Sequence, residues 1–252
     1  MDEITARRLN KINTAFYNEH ADSFSAARGQ TWPGWQRCFD LILKDLTNSG
    51  NNLTVLDLAC GNLRFETFLR SQLPSLELSY YAVDNCDSLV PQKTLVNYVH
   101  LDILDVLQRG DVLSDSLALP QCNLAVCFGF MHHMPLRDHR NKILDYLIYQ
   151  VVPGGFVIVT FWQFLKDEGL RAKAQDTHKR ALGELDLGEL DENDFLLDWN
   201  GIAGAYRYCH SFSEEEIDEL VGSVASRAEL IARFVSDGRS DTLNTYLVLR
   251  KR

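Results

Sequence analysis

Three acidic residues stand near the ends of successive apolar runs, where they could bind the polar groups of a nucleoside. They are Asp57, Asp84 and Asp102. Asp84 lies 23 residues beyond Gly61, close to the interval of about 20 residues at which a carboxylate binds ribose hydroxyls. We predict that Asp84 binds ribose, that Asp102 accepts from an adenine amino group beside Ile103, and that Asp57 faces a cationic or hydroxyl-rich ligand.

The segment from Val55 to Asn62 reads as an apolar strand that runs into a small-residue turn at Gly61. It departs from the dinucleotide fingerprint, because Ala59 takes the first glycine position and Arg64 the third, so a pyrophosphate could not approach closely. S-adenosylmethionine has no phosphate and needs one tight turn with an acidic neighbour. We therefore predict this methyl donor rather than a dinucleotide, although a lone glycine turn is ordinary and a strand-end Asp is commonly a helix N-cap.

Short apolar runs alternate with helical segments through the middle of the chain, which predicts a parallel sheet with crossover helices. The predicted strands cover residues 53–58, 78–83, 97–101, 123–128 and 155–161, and the predicted helices cover 64–72, 88–91, 103–109 and 138–150. Turns are expected at 48–52 and at 152–155. The acids above would then share the carboxyl edge of the sheet, where open α/β folds bind ligands.

The flanking segments predict a lid, an insertion and a closing hairpin. Apolar residues at helical spacing predict helices over 2–18 and 35–46 ahead of the first strand. Residues 163–200 are charged and poor in apolar side chains, which suggests a functional lid or insertion. Ser213 and Glu216 form a capping box that predicts a helix over 214–221, followed by strands over 228–234 and 243–249.

Composition limits the classes of protein to consider. The chain has 252 residues, a formal net charge of -10 and no apolar run long enough to span a bilayer, so we expect a cytoplasmic protein without a membrane partner. Six cysteines are scattered without metal-ligand spacing, so we expect them to be reduced and mostly buried and no metal to be bound. The acidic charge argues against nucleic-acid binding unless a local basic patch or a basic partner supplies it.

The first loop, the ribose acid Asp84 and the segment Phe128 to Pro135 resemble the class I methyltransferase family. The resemblance implies an α/β, doubly wound, seven-stranded and mostly parallel sheet of order 3-2-1-4-5-7-6, with the last strand antiparallel and helices on both faces. It implies S-adenosyl-L-methionine as cofactor. The residues predicted to contact the donor are Tyr17, Arg28, Trp32, Asp57, Ala59, Gly61, Asp84, Asn85, Asp102, Ile103 and Phe128.

A second set of residues resembles the tRNA wobble-uridine carboxymethyl methyltransferases. The set comprises Phe16-Tyr17, Phe24, Arg28, Trp32-Pro33, His132-His133, Trp162, Trp199 and the run Tyr206 to His210. Those enzymes esterify a carboxymethyl group on the anticodon's wobble base, and some act with a small zinc-binding activator subunit. We expect one domain over 1–252, with N-terminal helices and lid at 1–48, donor core at 53–161, acceptor region at 163–212 and closing elements at 213–252.

The acceptor is predicted from the same resemblance and from side-chain chemistry. Arg207 could bind a carboxylate or phosphate through its planar guanidinium, with Tyr206, Tyr208 and His210 beside it as substrate contacts. His132 and His133 are the candidate catalytic residues with Arg207, since a histidine there could take a proton from a hydroxyl or amine. Three alternatives stay open: a tRNA acceptor, a small organic acid or metabolite, and a scaffold that binds the donor without turnover.

Overall fold

A computed structural model describes residues 1–48, 51–90 and 96–252. Residues 49 and 50 of the turn predicted at 48–52, and residue 91 of the helix predicted at 88–91, lie outside this part of the chain. For residues 88–90 the predicted helix is wrong. Leu89 and Val90 donate backbone hydrogen bonds to the residues three positions before them, which makes this segment a turn. Within the described ranges, no helix combines the length and apolar character needed to cross a bilayer.

Seven strands form the main sheet. β1 (Asn52–Leu58), β2 (Glu77–Asp84), β3 (Asn97–His100), β4 (Cys122–Cys127) and β5 (Val151–Trp162) pair in parallel, and β8 (Ala228–Ser236) and β9 (Asn244–Lys251) close it as an antiparallel hairpin. The order is β3-β2-β1-β4-β5-β9-β8, with β9 antiparallel to β5. This confirms the predicted topology, since β8 and β9 are the sixth and seventh strands of this sheet.

Successive side chains of a strand point to opposite faces of the sheet, and apolar side chains on both faces explain why helices cover both. Leu56 of β1 packs with α4 (Ile103–Gln108), α6 (Arg137–Gln150) and α8 (Glu214–Val224). Val55, on the opposite face, packs with α2 (Pro33–Asn48) and α3 (Arg64–Gln72). A short α5 (Leu113–Ser116) follows α4. Strands with both faces covered are typical of parallel α/β sheets.

The turn predicted at 152–155 belongs to an irregular part of β5. Val151 already pairs with Cys122 directly after α6, and the next pair joins Phe156 to Leu124. Between these pairs one residue on β4 therefore faces four on β5, and these four include Gly154 with φ of 79°. The glycines mark a bulge in the strand rather than the turn before it.

The N-terminal helix and the segment after β5 differ most from expectation. α1 runs from Glu3 to Ala26, eight residues beyond the predicted end, with a kink at His20. The segment 163–200, predicted as a lid or insertion, contains α7 (Glu168–Glu184) and β6 (Asp194–Asp198). β6 pairs antiparallel with β7 (Tyr206–His210), just beyond that segment, to form a two-stranded sheet. α1 and α7 pack against this small sheet.

Candidate functional site

A cavity of about 380 Å³ opens at the carboxyl ends of the parallel strands, within the size range of small-molecule sites. The loop after β1, the ends of β2 and β3 and the loop after β4 form its floor, while α1, the start of α2 and β7 cover it. Every residue predicted to contact the donor lies on its wall, namely Tyr17, Arg28, Trp32, Asp57, Ala59, Gly61, Asp84, Asn85, Asp102, Ile103 and Phe128.

The loop after β1 brings its backbone close to the Asp84 carboxylate. Ala59, Gly61 and Leu63 all have positive φ, at 63°, 52° and 58°, so the chain turns sharply between β1 and α3. Oδ2 of Asp84 accepts a 2.9 Å hydrogen bond from the Gly61 backbone N–H, and Oδ1 accepts one of 2.9 Å from Cys86. A carboxylate can accept about four hydrogen bonds, so capacity remains for ribose hydroxyls.

The other two acids on this wall also have protein partners. Asp57 is buried, accepts a hydrogen bond from the Tyr80 hydroxyl and has a pKa that burial raises to about 7. Asp102 is the N-cap of α4, where it accepts from the Asp105 backbone N–H, and Asn10 lies 3.3 Å from both of its oxygens. The three carboxylates converge on one cavity, as the sequence predicts, and their donor contacts stay predictions.

Arginines occupy the opposite side of the cavity. Arg28 and Arg207 line it, and neither forms an ion pair with any described residue. Instead, the Arg207 guanidinium lies 5.4 Å from the rings of both Phe16 and Trp199, and Arg28 lies over Phe24 at 4.9 Å. Burial, together with the positive charge of Arg207, lowers the pKa of Arg28. This half of the site is electropositive and suited to an anionic group.

The two histidines after β4 lie in the wall but have different surroundings. Nε2 of His133 lies 2.8 Å from the Tyr17 hydroxyl, and Nδ1 lies 2.9 Å from the backbone carbonyl of Tyr208. His132 packs edge-on against Trp162 at 5.1 Å, and its Nδ1 is buried without a partner in the described chain. Burial lowers the pKa of His133 to about 3 and that of His132 well below its usual value.

Three predicted substrate contacts lie outside the cavity wall, because side chains alternate along β7. Tyr206, Tyr208 and His210 face away from it, whereas Arg207 faces in. The Tyr208 hydroxyl and Nδ1 of His210 both bond Oδ1 of Asp194, at 2.6 and 2.7 Å, and the Tyr206 hydroxyl donates to Glu184. We therefore correct their role from substrate contacts to packing of the small sheet.

Several wall residues were not predicted from the sequence. They are Asn10, Asn13, Thr14, Asn62, Arg64, Phe130, Asp237 and Asn244, with their apolar neighbours. Arg64 donates to Asn62 Oδ1 and to the Gln30 carbonyl, and burial followed by the charge of Arg28 lowers its pKa to about 10. Asp237 and Gly238 form a turn with positive φ, a dipeptide that marks a tight turn but not its position beside the cavity.

His132, His133 and Cys209 each place one potential ligand atom within 4.8 Å of the others. Nδ1 of His133 is bonded to a carbonyl, and Arg28 and Arg207 bring positive charge toward both histidines. These features disfavour a cation there, and the absence of a metal stays a prediction. All six cysteines are buried and free, as expected.

Comparison with known proteins gives distant relatives. No family model matches the chain. A protein of Encephalitozoon cuniculi named as a presumed methyltransferase is 26% identical over 205 residues, which cover 81% of this chain and 82% of that protein. A tRNA (carboxymethyluridine(34)-5-O)-methyltransferase of Arabidopsis thaliana is 23% identical over 147 residues, which cover 58% of this chain but only 31% of that protein.

Solved structures share the fold over most of the chain. A 1,6-didemethyltoxoflavin-N1-methyltransferase of Burkholderia thailandensis, solved with its acceptor and S-adenosylhomocysteine, has a TM-score of 0.61 at 14% identity and covers 98% of this chain and 90% of its own. A SAM-dependent methyltransferase of Methanosarcina mazei has a TM-score of 0.58 at 16% identity, with 83% and 96% covered. The class I methyltransferase fold is thereby confirmed, and the expected donor agrees with these relatives.

Proposed function

We propose that this chain, which has the class I methyltransferase fold, transfers a methyl group from S-adenosylmethionine to the carboxylate of an acceptor. The observation that carries the proposal is that Arg28 and Arg207 face the cavity without an acidic partner among the described residues. Arg207 is buried and Arg28 is half-buried, and a cation taken out of water without a partner is costly. A carboxylate bound between them would offset that cost and bring the acceptor oxygen to the donor side.

The residues of the floor fit the donor. When bound, S-adenosylmethionine supplies a methyl group on a positively charged sulfur. Asp84 is placed to bind the ribose hydroxyls, and Asp102 to accept from the adenine amino group. The loop of Ala59 and Gly61 lets the nucleoside approach the backbone, and Asp57 adds a carboxyl group below it.

The residues of the cover orient the acceptor and exclude water. Arg207 would bind its carboxylate through two parallel N–H donors. Tyr17, Phe24, Trp32 and Trp162 surround the reacting region with aromatic surface. Positive and negative charge are lost together in the transfer, so a dry pocket favours it. The ester product is neutral and loses its ion pair with Arg207, which favours its release.

A carboxylate suits this site better than an alcohol or amine, because neither histidine of the described cavity wall is a strong base. His133 has a pKa of about 3, and the pKa of His132 is also depressed by burial. A group whose conjugate acid is so strong is an inefficient general base near neutral pH. A carboxylate arrives already deprotonated and needs only to be held.

Two classes of acceptor carry a carboxylate and remain the specific proposals. A carboxymethyl group on a tRNA wobble uridine is favoured by the similarity to the Arabidopsis enzyme of that name. A small organic acid is favoured by the net charge of -10, because an acidic chain repels a phosphate backbone. The same two arginines would bind the carboxylate in both.

The test is to incubate the full chain with radiolabelled S-adenosylmethionine and two acceptor pools. One pool is tRNA carrying 5-carboxymethyluridine at the wobble position, with and without ribonuclease, and the other is a small-molecule extract. We expect base-labile label, typical of a methyl ester, in one of them. Retention of the donor with no label in either pool would leave the scaffold alternative and contradict the proposal.

A pair of variants tests the residue that carries the argument. We expect Arg207→Ala to lower transfer at limiting acceptor by about 100-fold, the cost of removing one partner from a buried charge pair. S-adenosylhomocysteine affinity, measured by calorimetry, should stay within about twofold. Arg171→Ala, at an exposed arginine of α7, is the matched control and should leave transfer unchanged.

A further inference from the structure

We propose that His133 is a positioning residue that acts through Tyr17 on Arg207, rather than a base that takes a proton from the acceptor. The inference rests on the proposed function, since it assigns Arg207 to the acceptor carboxylate. It concerns a separate property, which is how the guanidinium is held in place when no acid pairs with it.

The hydrogen bonds around His133 fix which ring nitrogen carries the proton. Nδ1 lies 2.9 Å from the Tyr208 carbonyl oxygen, which can only accept. Nδ2 of Asn13 also lies 3.1 Å from Nδ1, but that amide donates to the same Tyr208 carbonyl, and the carbonyl is the nearer contact. We therefore assign the hydrogen of the neutral ring to Nδ1 and the lone pair to Nε2. The Tyr17 hydroxyl, 2.8 Å away, then donates to Nε2. Both ring nitrogens are thus committed within the protein.

Tyr17 passes this orientation to Arg207. Its hydroxyl proton points at His133, so the lone pairs of the phenol oxygen are free for a donor on the cavity side. The Arg207 guanidinium lines the same cavity and lies over the Phe16 ring, which packs edge-on against the Tyr17 ring at 5.0 Å. Burial raises the pKa of Tyr17, and the charge of Arg207 counteracts that rise. The stacks against Phe16 and Trp199 hold the guanidinium plane. We infer that the Tyr17 hydroxyl oxygen, together with these rings, sets the direction of the Arg207 N–H groups.

Asn13 on α1 connects this hydrogen-bond chain to β7 of the two-stranded sheet. Its Oδ1 accepts from the Tyr208 backbone N–H at 2.7 Å, and its Nδ2 donates to the Tyr208 carbonyl at 3.1 Å. α1 therefore carries both Asn13 and Tyr17 into register with β7, the strand that carries Arg207. A side chain one turn away from Tyr17 thus fixes the carbonyl on which the His133 tautomer depends.

The first test is spectroscopic and needs no acceptor. Long-range ¹H–¹⁵N spectra of the full chain should show His133 as the Nδ1–H tautomer, without titration between pH 5 and pH 8. The titratable and charged groups around the ring are Tyr17, Arg28, His132, Arg207 and Cys209. An Nε2–H tautomer, or a His133 that titrates in this range, would overturn the proposal.

The second test uses the geometry of amide replacements. In His133→Gln the amide oxygen reaches the position of Nε2 and can accept from Tyr17, whereas in His133→Asn the amide reaches only the Nδ1 position. We expect His133→Asn and Tyr17→Phe each to weaken acetate binding to the S-adenosylhomocysteine complex at least fivefold, followed by the Arg207 Nε–H signal. His133→Gln should weaken it less than twofold.

Further outcomes separate positioning from the other roles. Tyr17→Phe combined with His133→Asn should be no worse than either alone, because both break the same connection. Equal losses in His133→Asn and His133→Gln would indicate a base or a purely structural role and overturn the inference. A chain that fails to retain S-adenosylhomocysteine would refute the proposed function, while the tautomer measurement would still decide the role of His133.

Discussion

The Tyr80 hydroxyl on β2 donates a 2.5 Å hydrogen bond to Oδ2 of Asp57 on the neighbouring β1. Both residues are almost fully buried, at 1% and 2% exposed. Burial raises the pKa of Asp57 to about 7, the hydrogen bond from Tyr80 counteracts that rise, and the charge of Asp84 adds to it. A carboxyl group beneath the donor wall therefore changes its charge close to neutral pH.

Asp57→Asn should stabilise the ligand-free fold more at pH 8 than at pH 5. The pKa is about 7 in the folded chain and about 3.9 when unfolded, so the folded state binds more protons between these values and loses stability as pH rises through them. We expect a gain of roughly 1 to 4 kcal/mol at pH 8. Calorimetric Tm values at both pH values test this, with exposed Asp22→Asn as control; an equal Tm change at both would contradict it.

The floor of the site was predictable because each of its acidic or glycine residues stands at the end of a strand that the sequence pattern predicts. Gly61, Asp84 and Asp102 each follow directly from a strand, and parallel strands bring their carboxyl ends to one edge. The cover was less predictable. Tyr208 and His210 stand beside Arg207 in sequence, yet alternation on β7 turns them to the opposite face, and only the packing of α1 decides which face borders the cavity.

α7 illustrates a second limit. Its buried residues are Ala174, Thr177 and Ala181, which are too small to give the segment an apolar pattern. It packs against β6, whose position depends on pairing with β7. Arg64 and Asp237 likewise reach the cavity from elements far apart in sequence. Contacts that depend on tertiary packing leave little trace in local periodicity.

The ionised carboxylate of Glu216 should stabilise the fold near neutral pH and lose this effect in acid. Burial alone would raise its pKa, but hydrogen bonding and charge from His210, the Ser213 backbone and Arg140 bring it down to about 2. A lowered folded pKa gives stability that is present above about pH 4.5 and lost as pH falls toward 2. We expect Glu216→Gln to cost roughly 1 to 3 kcal/mol at pH 7. Urea unfolding at pH 7 and pH 3 measures this.

The matched control for that experiment is Glu229→Gln, at an exposed position of β8. It should change the free energy of unfolding by less than about 0.5 kcal/mol at either pH. A cost of Glu216→Gln that persists undiminished at pH 3 would show that lost packing, rather than charge, explains it.

Gly34 should tolerate no larger side chain. A Cβ atom there would lie 2.3 Å from Cζ of Tyr246, whose ring is buried and stacked on Phe234. The Gly34 N–H also donates to Asp237 at 3.1 Å, which joins α2 to the turn after β8. We expect Gly34→Ala to destabilise by about 1 to 3 kcal/mol and to weaken S-adenosylhomocysteine binding, because Trp32 and Asp237 border the cavity.

Gly29→Ala provides the comparison, since a Cβ at that position meets no atom within 4 Å. Its Tm and its affinity for S-adenosylhomocysteine should match those of the unmodified chain. Equal behaviour of the two alanine variants would show that the Tyr246 ring yields to the added methyl group.

Ala59→Gly should stabilise the chain, against the usual effect of adding a glycine. Ala59 has φ of 63°, a left-handed conformation that costs an L-residue roughly 1 to 2 kcal/mol. Glycine removes that cost but makes the unfolded chain more flexible, which costs about 0.4 to 1 kcal/mol. We expect a net gain of about 0.5 to 1 kcal/mol in the free energy of unfolding, measured in urea.

Ala172→Gly, at an exposed position of α7, makes the same chemical change where φ is helical and should instead lose about 1 kcal/mol. A loss in both variants would show that the loop after β1 is unstrained. The Ala59 methyl group also lines the cavity, so weaker S-adenosylhomocysteine binding in the more stable variant would indicate that the donor contacts it.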